Sequence, residues 1–176
     1  MTTMSEIELT GSLVKKNLSE TKALIQQLSV QQFSQPLSVL SGCSIGQHFR
    51  HLIEFYVCMF YHIESGIISY DERERDARIE NDPEFAMLCI ETIISNINAL
   101  KEDKRLHIRL NLSPEEEKPV VVETSLCREL AYNFEHGIHH LAVIKIGLLQ
   151  FPEITVDDNF GIAPSTIRHK NTSVKA

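Results

Sequence analysis

The sequence predicts an all-α protein, an antiparallel four-helix bundle with a small β-hairpin between its third and fourth helices. Three observations carry this. Four segments repeat apolar residues every three to four positions, the period of an amphipathic helix. Cap and stop residues flank those segments at the right places. The connections between them are short or modest, which favours antiparallel neighbours.

The first helix is expected from about Ile7 to Leu28, with Leu9, Leu13, Leu18, Leu24 and Ile25 as a loose apolar stripe. Ser29 to Gly42 carries Pro36, serines and glutamines and reads as a loop. The second helix begins after Ser44, which forms a capping-box pattern with Gln47. It runs to about Ser65 and stops at Gly66, with Ile45, Phe49, Leu52, Tyr56, Met59 and Ile63 on one face. Tyr70 to Asn81 is dense in charge and reads either as a solvated loop or as ion pairs of Arg73, Arg75 or Arg78 that close one end of a site. Asp82-Pro83 is an N-cap followed by a first-turn proline, so the third helix spans Pro83 to about Leu100. Leu106 to Leu112 and Val120 to Thr124 alternate apolar and polar residues and are expected to pair across Ser113-Pro114-Glu115. The fourth helix runs from about Ser125 to Gln150, with Leu126, Leu130, Phe134, Leu141, Ile144 and Leu148 inward; Pro152 marks its end. The tail from Asp158 shows no periodicity, and its last residues are expected to be mobile.

Composition bounds the function. The 176 residues, 43% hydrophobic and 23% charged, suit one globular domain with a real core. The net charge of −7 gives no basic face for nucleic acid. No basic start followed by an apolar run marks a secretory signal, and no stretch has the roughly 20 apolar residues of a membrane helix, so a cytoplasmic protein is expected. Cys43, Cys58, Cys89 and Cys127 are far apart and read as free thiols in or near the core.

Five of the eight histidines fall in two tight groups, His48 with His51 and His136 with His139 and His140. Histidine is the commonest neutral metal ligand near pH 7. His136 and His140, four apart on a helix, point the same way and flank the apolar stripe, whereas His139 points away from it. A third ligand must come from another element. His48 lies within the apolar face of the second helix and His51 on its edge, and geometry alone leaves both open. His62, His107 and His169 are single and read as structural or exposed.

At these residues the sequence resembles the DinB superfamily, which includes the YfiT-like metal-dependent hydrolases and thiol transferases. Ser44 to Leu52, SIGQHFRHL, is similar to the family's S-x-x-x-x-x-x-H-L start of helix two. Glu135 to His140, EHGIHH, resembles its H-x-x-x-H in the last long helix, and Phe160 to Thr166, FGIAPST, a C-terminal signature of one branch. The charged run from Tyr70 to Glu80 looks like the same branch. The resemblance implies an up-down-down-up four-helix bundle, often a homodimer, and a metal triad that falls on His51, His136 and His140. It selects His51 over His48. It also implies a divalent ion, zinc or nickel, with positions open to water or to a small substrate such as a low-molecular-weight thiol. The family leaves the reaction unassigned for many members, so the catalytic residues stay unknown. His48 and Glu135 are the acid or base candidates nearest in sequence, each with a plain packing or solvated-helix alternative. Other readings are an ion that only locks two helices together and a metal-free interaction module.

Overall fold

The computed structural model describes residues 4–114 and 118–173. It is mostly helical, with one small sheet. Helix α1 (Glu6–Ile25) begins at a Ser5/Glu8 capping box. Its buried stripe is Ile7, Gly11, Val14, Leu18, Thr21, Leu24 and Ile25. Leu9 and Leu13 are exposed instead, 53% each. The reason is angular: at about 100° per residue Leu9 stands about 160° and Leu13 about 120° around the helix from the Ile7, Val14 and Leu18 line.

The expected loop after α1 holds structure. A second capping box, Ser29 with Gln32, starts the short α2 (Val30–Ser34) and buries Phe33, which stacks on Phe49 at 5.8 Å. A 3₁₀ turn (Ser38–Leu40) leads to α3 (Ile45–His62), capped by Ser44 and Gln47 as the sequence indicates. Gly66, at φ +75°, then turns the chain into β1 (Ile67–Ile68). Within the charged run Asp76 caps α4 (Ala77–Asn81), and Asp82 with Pro83 opens α5 (Pro83–Ala99).

The hairpin forms, with β2 (Arg105–Leu110) antiparallel to β3 (Val120–Ser125). Part of its turn, residues 115–117, lies outside the described residues. The sheet has a third member that alternation could not reveal in two residues: β1 joins β2 in parallel, Ile67 opposite His107 and Ile68 opposite Ile108. Ser125 ends β3 and caps α6 (Leu126–Leu148). The first turn of α6 is pinned further by Lys104 O and Asp103 Oδ1, which accept from the amides of Leu126 and Cys127. The tail, read as aperiodic, contains α7 (Pro164–Ser173), a helix with no buried residue; residues 174–176 lie outside the described ones.

Helix α1 packs against α5 and α6, and α3 against the same two. Ile45, Phe49, Leu52, Ile53, Tyr56 and Met59 from α3 meet Leu126, Leu130, Leu141, Ile144 and Leu148 from α6 within one hydrophobic core. Gly46 allows α4 to lie on the first turn of α3, because a Cβ there would stand 2.2 Å from the Glu80 carbonyl oxygen. That close approach carries the charged run back across α3. The four cysteines are free thiols, with Cys58 buried and the others half-buried. Among the described residues no helix is long and apolar enough to cross a membrane.

Candidate metal centre

The contact between α3 and α6 brings the two histidine groups together. His51, His136 and His140 are half-buried, and one ligand atom from each lies within 4.8 Å of the others. Nε2 of His51 is 3.0 Å from Nε2 of His136. Two imidazole nitrogens about 2.0–2.1 Å from one tetrahedral ion stand about 3.3 Å apart, so the spacing is near that of a shared ion. The ring centroids of the three are 4.4, 4.7 and 5.1 Å apart in pairs. The donor set fits a divalent ion that accepts imidazole.

The cluster is built to be neutral. Burial, and next the Arg73 guanidinium, pushes His51 down to about 4. Burial and the neighbouring imidazoles of His51 and His136 push His140 down to about 3. Burial also lowers His136 and His48. Near pH 7 these rings keep a lone pair free, the state in which imidazole binds metal.

The other histidines separate as the helical angles require. His139 is exposed and touches His140 only edge-on, at 5.6 Å. His48 stays with the cluster: its Nδ1 is 3.3 Å from Nδ1 of His140. Phe55 forms an apolar wall, stacked against His136 at 4.4 Å and Tyr70 at 4.7 Å. Tyr70 donates to Glu129 Oε2 at 2.8 Å, and Thr124 donates to Oε1 at 2.6 Å, so this buried carboxylate has a hydroxyl on each oxygen. Glu135 is exposed and lies away from the imidazoles, in a groove of about 330 Å³ with Ile138 of α6 and Pro164, Ser165 and Arg168 of α7. The FGIAPST segment joins that groove. Gly161, at φ +70°, packs against α6, where a Cβ would come within 2.7 Å of the Ala142 nitrogen.

The charged run is divided. Arg75 is exposed, and Arg78 pairs with Asp76 while 71% of its side chain meets solvent. Arg73 instead turns inward. Its side chain is 11% exposed, NH1 donates to the Tyr70 carbonyl at 2.9 Å, and NH2 stands 3.1 Å from Nδ1 of His51. Behind it lies Glu54, 3% exposed, whose carboxylate accepts two hydrogen bonds from Arg50 (3.0 and 3.2 Å) and one from the Asp76 amide (2.8 Å), and sits 3.5 Å from Arg73 Nε. Arg50 also reaches Glu80. Sequence reasoning passed over Glu54. Its signal was a lone acid in the apolar run LIEFYV, four residues after Arg50, since a buried acid needs a cation.

Comparison with known proteins adds little to this geometry. No family model matches the chain, and no solved structure matches it. A curated protein from the fungus Rhizopus delemar, named FK506-binding protein 5, is 30% identical over 106 residues, 58% of this chain. The match spans only 27% of that relative's length.

Proposed function

We propose that this chain is a DinB-like four-helix-bundle protein that holds one divalent ion, zinc or nickel, on His51, His136 and His140, and acts as a metal-dependent enzyme of the thiol S-transferase or hydrolase type. One observation carries the reading: three neutral imidazoles from two core helices converge with ligand atoms within 4.8 Å of one another. The ring of packed long helices and the order of the motifs along the chain support the bundle. The fungal relative's name bears on the whole of a much longer protein and contributes no ligand here.

Three protein ligands leave positions open for water or substrate. A bound divalent ion would lower the pKa of a thiol or water there and so supply a nucleophile near neutral pH. The surrounding residues hold and shield the site. With His140 ligating through Nε2, its Nδ1–H donates to His48 Nδ1, which fixes the tautomer and the ring plane. Phe55 keeps water from one side of His51 and His136. The same resemblance supports a homodimer, checked by light scattering.

Elemental analysis of untagged wild type and His140→Ala tests the triad. About one ion per chain in wild type, lost in the variant, is expected. No ion after incubation with zinc or nickel would sink the proposal. If the ion only locks α3 to α6, a chelator lowers Tm and imidazole leaves the spectrum of cobalt-loaded protein unchanged; an open, reactive site binds imidazole.

A further inference from the structure

Arg73 meets His51 in a way that an ion on the far nitrogen of the same ring would not tolerate. A guanidinium has five N–H donors and no acceptor. NH2 of Arg73 stands 3.1 Å from His51 Nδ1, so Nδ1 accepts, and the proton of this neutral ring sits on Nε2. That proton points at His136 Nε2, 3.0 Å away, and engages the lone pair there. An ion shared by the two Nε2 atoms needs both lone pairs. His51 would then carry its proton on Nδ1, and N–H would face N–H at Arg73. A metal-ligating histidine ordinarily donates its second N–H to a carboxylate, a carbonyl or water, and Arg73 is none of these.

The arginine has a second partner within reach. Its side chain is 11% exposed, and its buried Nε has no hydrogen-bond partner although a Glu54 carboxylate oxygen lies 3.5 Å away. A buried donor is costly to leave unmet. NH1 is held at 2.9 Å by the Tyr70 carbonyl, so a small swing of the guanidinium about that contact toward Glu54 completes the Nε bond and draws NH2 off His51. The backbone on either side is anchored, with Tyr70 buried and the Asp76 amide bonded to Glu54, while residues 73–76 form no helix or strand that would fix the side chain between them. The swing also carries a positive charge from an imidazole toward an anion, a change that a dication at the imidazoles favours.

We propose that Arg73 is a latch on His51: it holds the ring in the tautomer that cannot bind an ion through Nε2, and it withdraws onto Glu54 when an ion enters. This rests on the metal reading above. Arg73 is a positioning residue and touches neither the ion nor a substrate. Only molecules with the latch open take up the ion, so the apparent affinity lies below that of the three imidazoles alone. The sign is opposite to that of a supporting partner, whose loss weakens metal binding by about 10–100-fold.

The test measures zinc affinity of full-length protein by competition with a chromophoric chelator at constant pH 7.5, for wild type, Arg73→Gln and Arg73→Lys. Arg73→Gln removes the charge and offers a carbonyl to an Nδ1–H. It should bind zinc about tenfold or more tighter than wild type, the worth of one charge-assisted hydrogen bond. Arg73→Lys keeps the charge and, like arginine, only donates, so its affinity should stay within about threefold of wild type. Unchanged or weaker zinc binding by Arg73→Gln would overturn the latch and leave the metal site standing. Long-range proton–nitrogen NMR of the wild-type histidines gives a second readout that needs no variant to fold. The His51 proton is expected on Nε2 before zinc is added and on Nδ1 afterwards; an Nδ1 proton before zinc would overturn the latch. Zinc uptake by none of the three proteins would overturn the metal reading itself, and the latch with it.

Discussion

Replacing Glu54 by glutamine removes one charge from the centre of the ion network and changes almost no volume. Breaking a buried ion pair by removing one partner costs about 3–5 kcal/mol, because the other charge is left uncompensated. Here the damage is limited on two sides. Arg50 keeps Glu80, and the glutamine carbonyl can still accept from the Asp76 amide. Among the described residues Arg73 has no second carboxylate, and it bears most of the loss. The expected cost is therefore at the low end, about 3 kcal/mol. For a chain of this size each kcal/mol moves Tm by about 2–4 °C, so Tm should fall by about 6–12 °C. With a urea m-value of about 2 kcal/mol/M, the unfolding midpoint should drop by about 1.5 M. The assay is urea and thermal unfolding of metal-free protein. A midpoint within about 0.4 M of wild type would mean that the network is solvated and inconsequential, and would refute this account of Arg73's placement.

Other expectations concern the backbone and the imidazoles. Gly46→Ala drives a methyl into the Glu80 carbonyl and the Phe33 ring, and should cost about 1–3 kcal/mol, read as a lowered Tm; an unchanged melt would refute the close approach of α4 to α3. Gly161→Ala combines a left-handed φ with a clash on the α6 backbone, so limited proteolysis should cut near residues 150–163 while the long helices resist; equal protection in both proteins would count against it. Unfolded histidines titrate near 6.5, whereas folded His51 and His140 titrate near 4 and 3. The unfolded chain therefore binds more protons in that window, and metal-free protein should be most stable above pH 6.5 and lose stability as pH falls toward 4. A His140→Asn variant should show a shallower fall, and identical Tm profiles for the two proteins between pH 7 and 5 would contradict the burial of the ring.

Much of the fold was legible because it rests on local signals. Ser44 with Gln47 and Asp82 with Pro83 set the starts of α3 and α5, since caps act within one turn. The equivalent Ser29 and Gln32 were visible too, but Pro36 and the glutamines weighed toward a loop; burial of Phe33 in the core decides in favour of α2. β1 was illegible in principle, because two residues show no alternation and its partner lies 40 positions away. Helix α7 buries no residue and so carries no apolar stripe to read. At the site, i, i+4 spacing marked His136 and His140. Helical angles left His48 and His51 both open and the resemblance chose His51; His51 is the one grouped with His136 and His140, while His48 lies beside His140 with its Nδ1 3.3 Å away. The inward turn of Arg73 depends on Glu54 and on α4 resting against Gly46, neither of which a linear pattern of charge conveys.

The two halves of the centre are far apart in synthesis. His51 and His136 are separated by 85 residues, and at about 5–20 residues per second the second arrives roughly 4–17 s after the first. For that interval the nascent chain offers His48 and His51 on a helix whose partner has not been made. Since α6 contributes two of the three candidate ligands, the set is incomplete before α6 docks on α3, and docking is driven by the apolar faces of both helices. An ion taken up by this group would thus arrive late and meet an assembled receptor, governed by the ions to hand when folding ends.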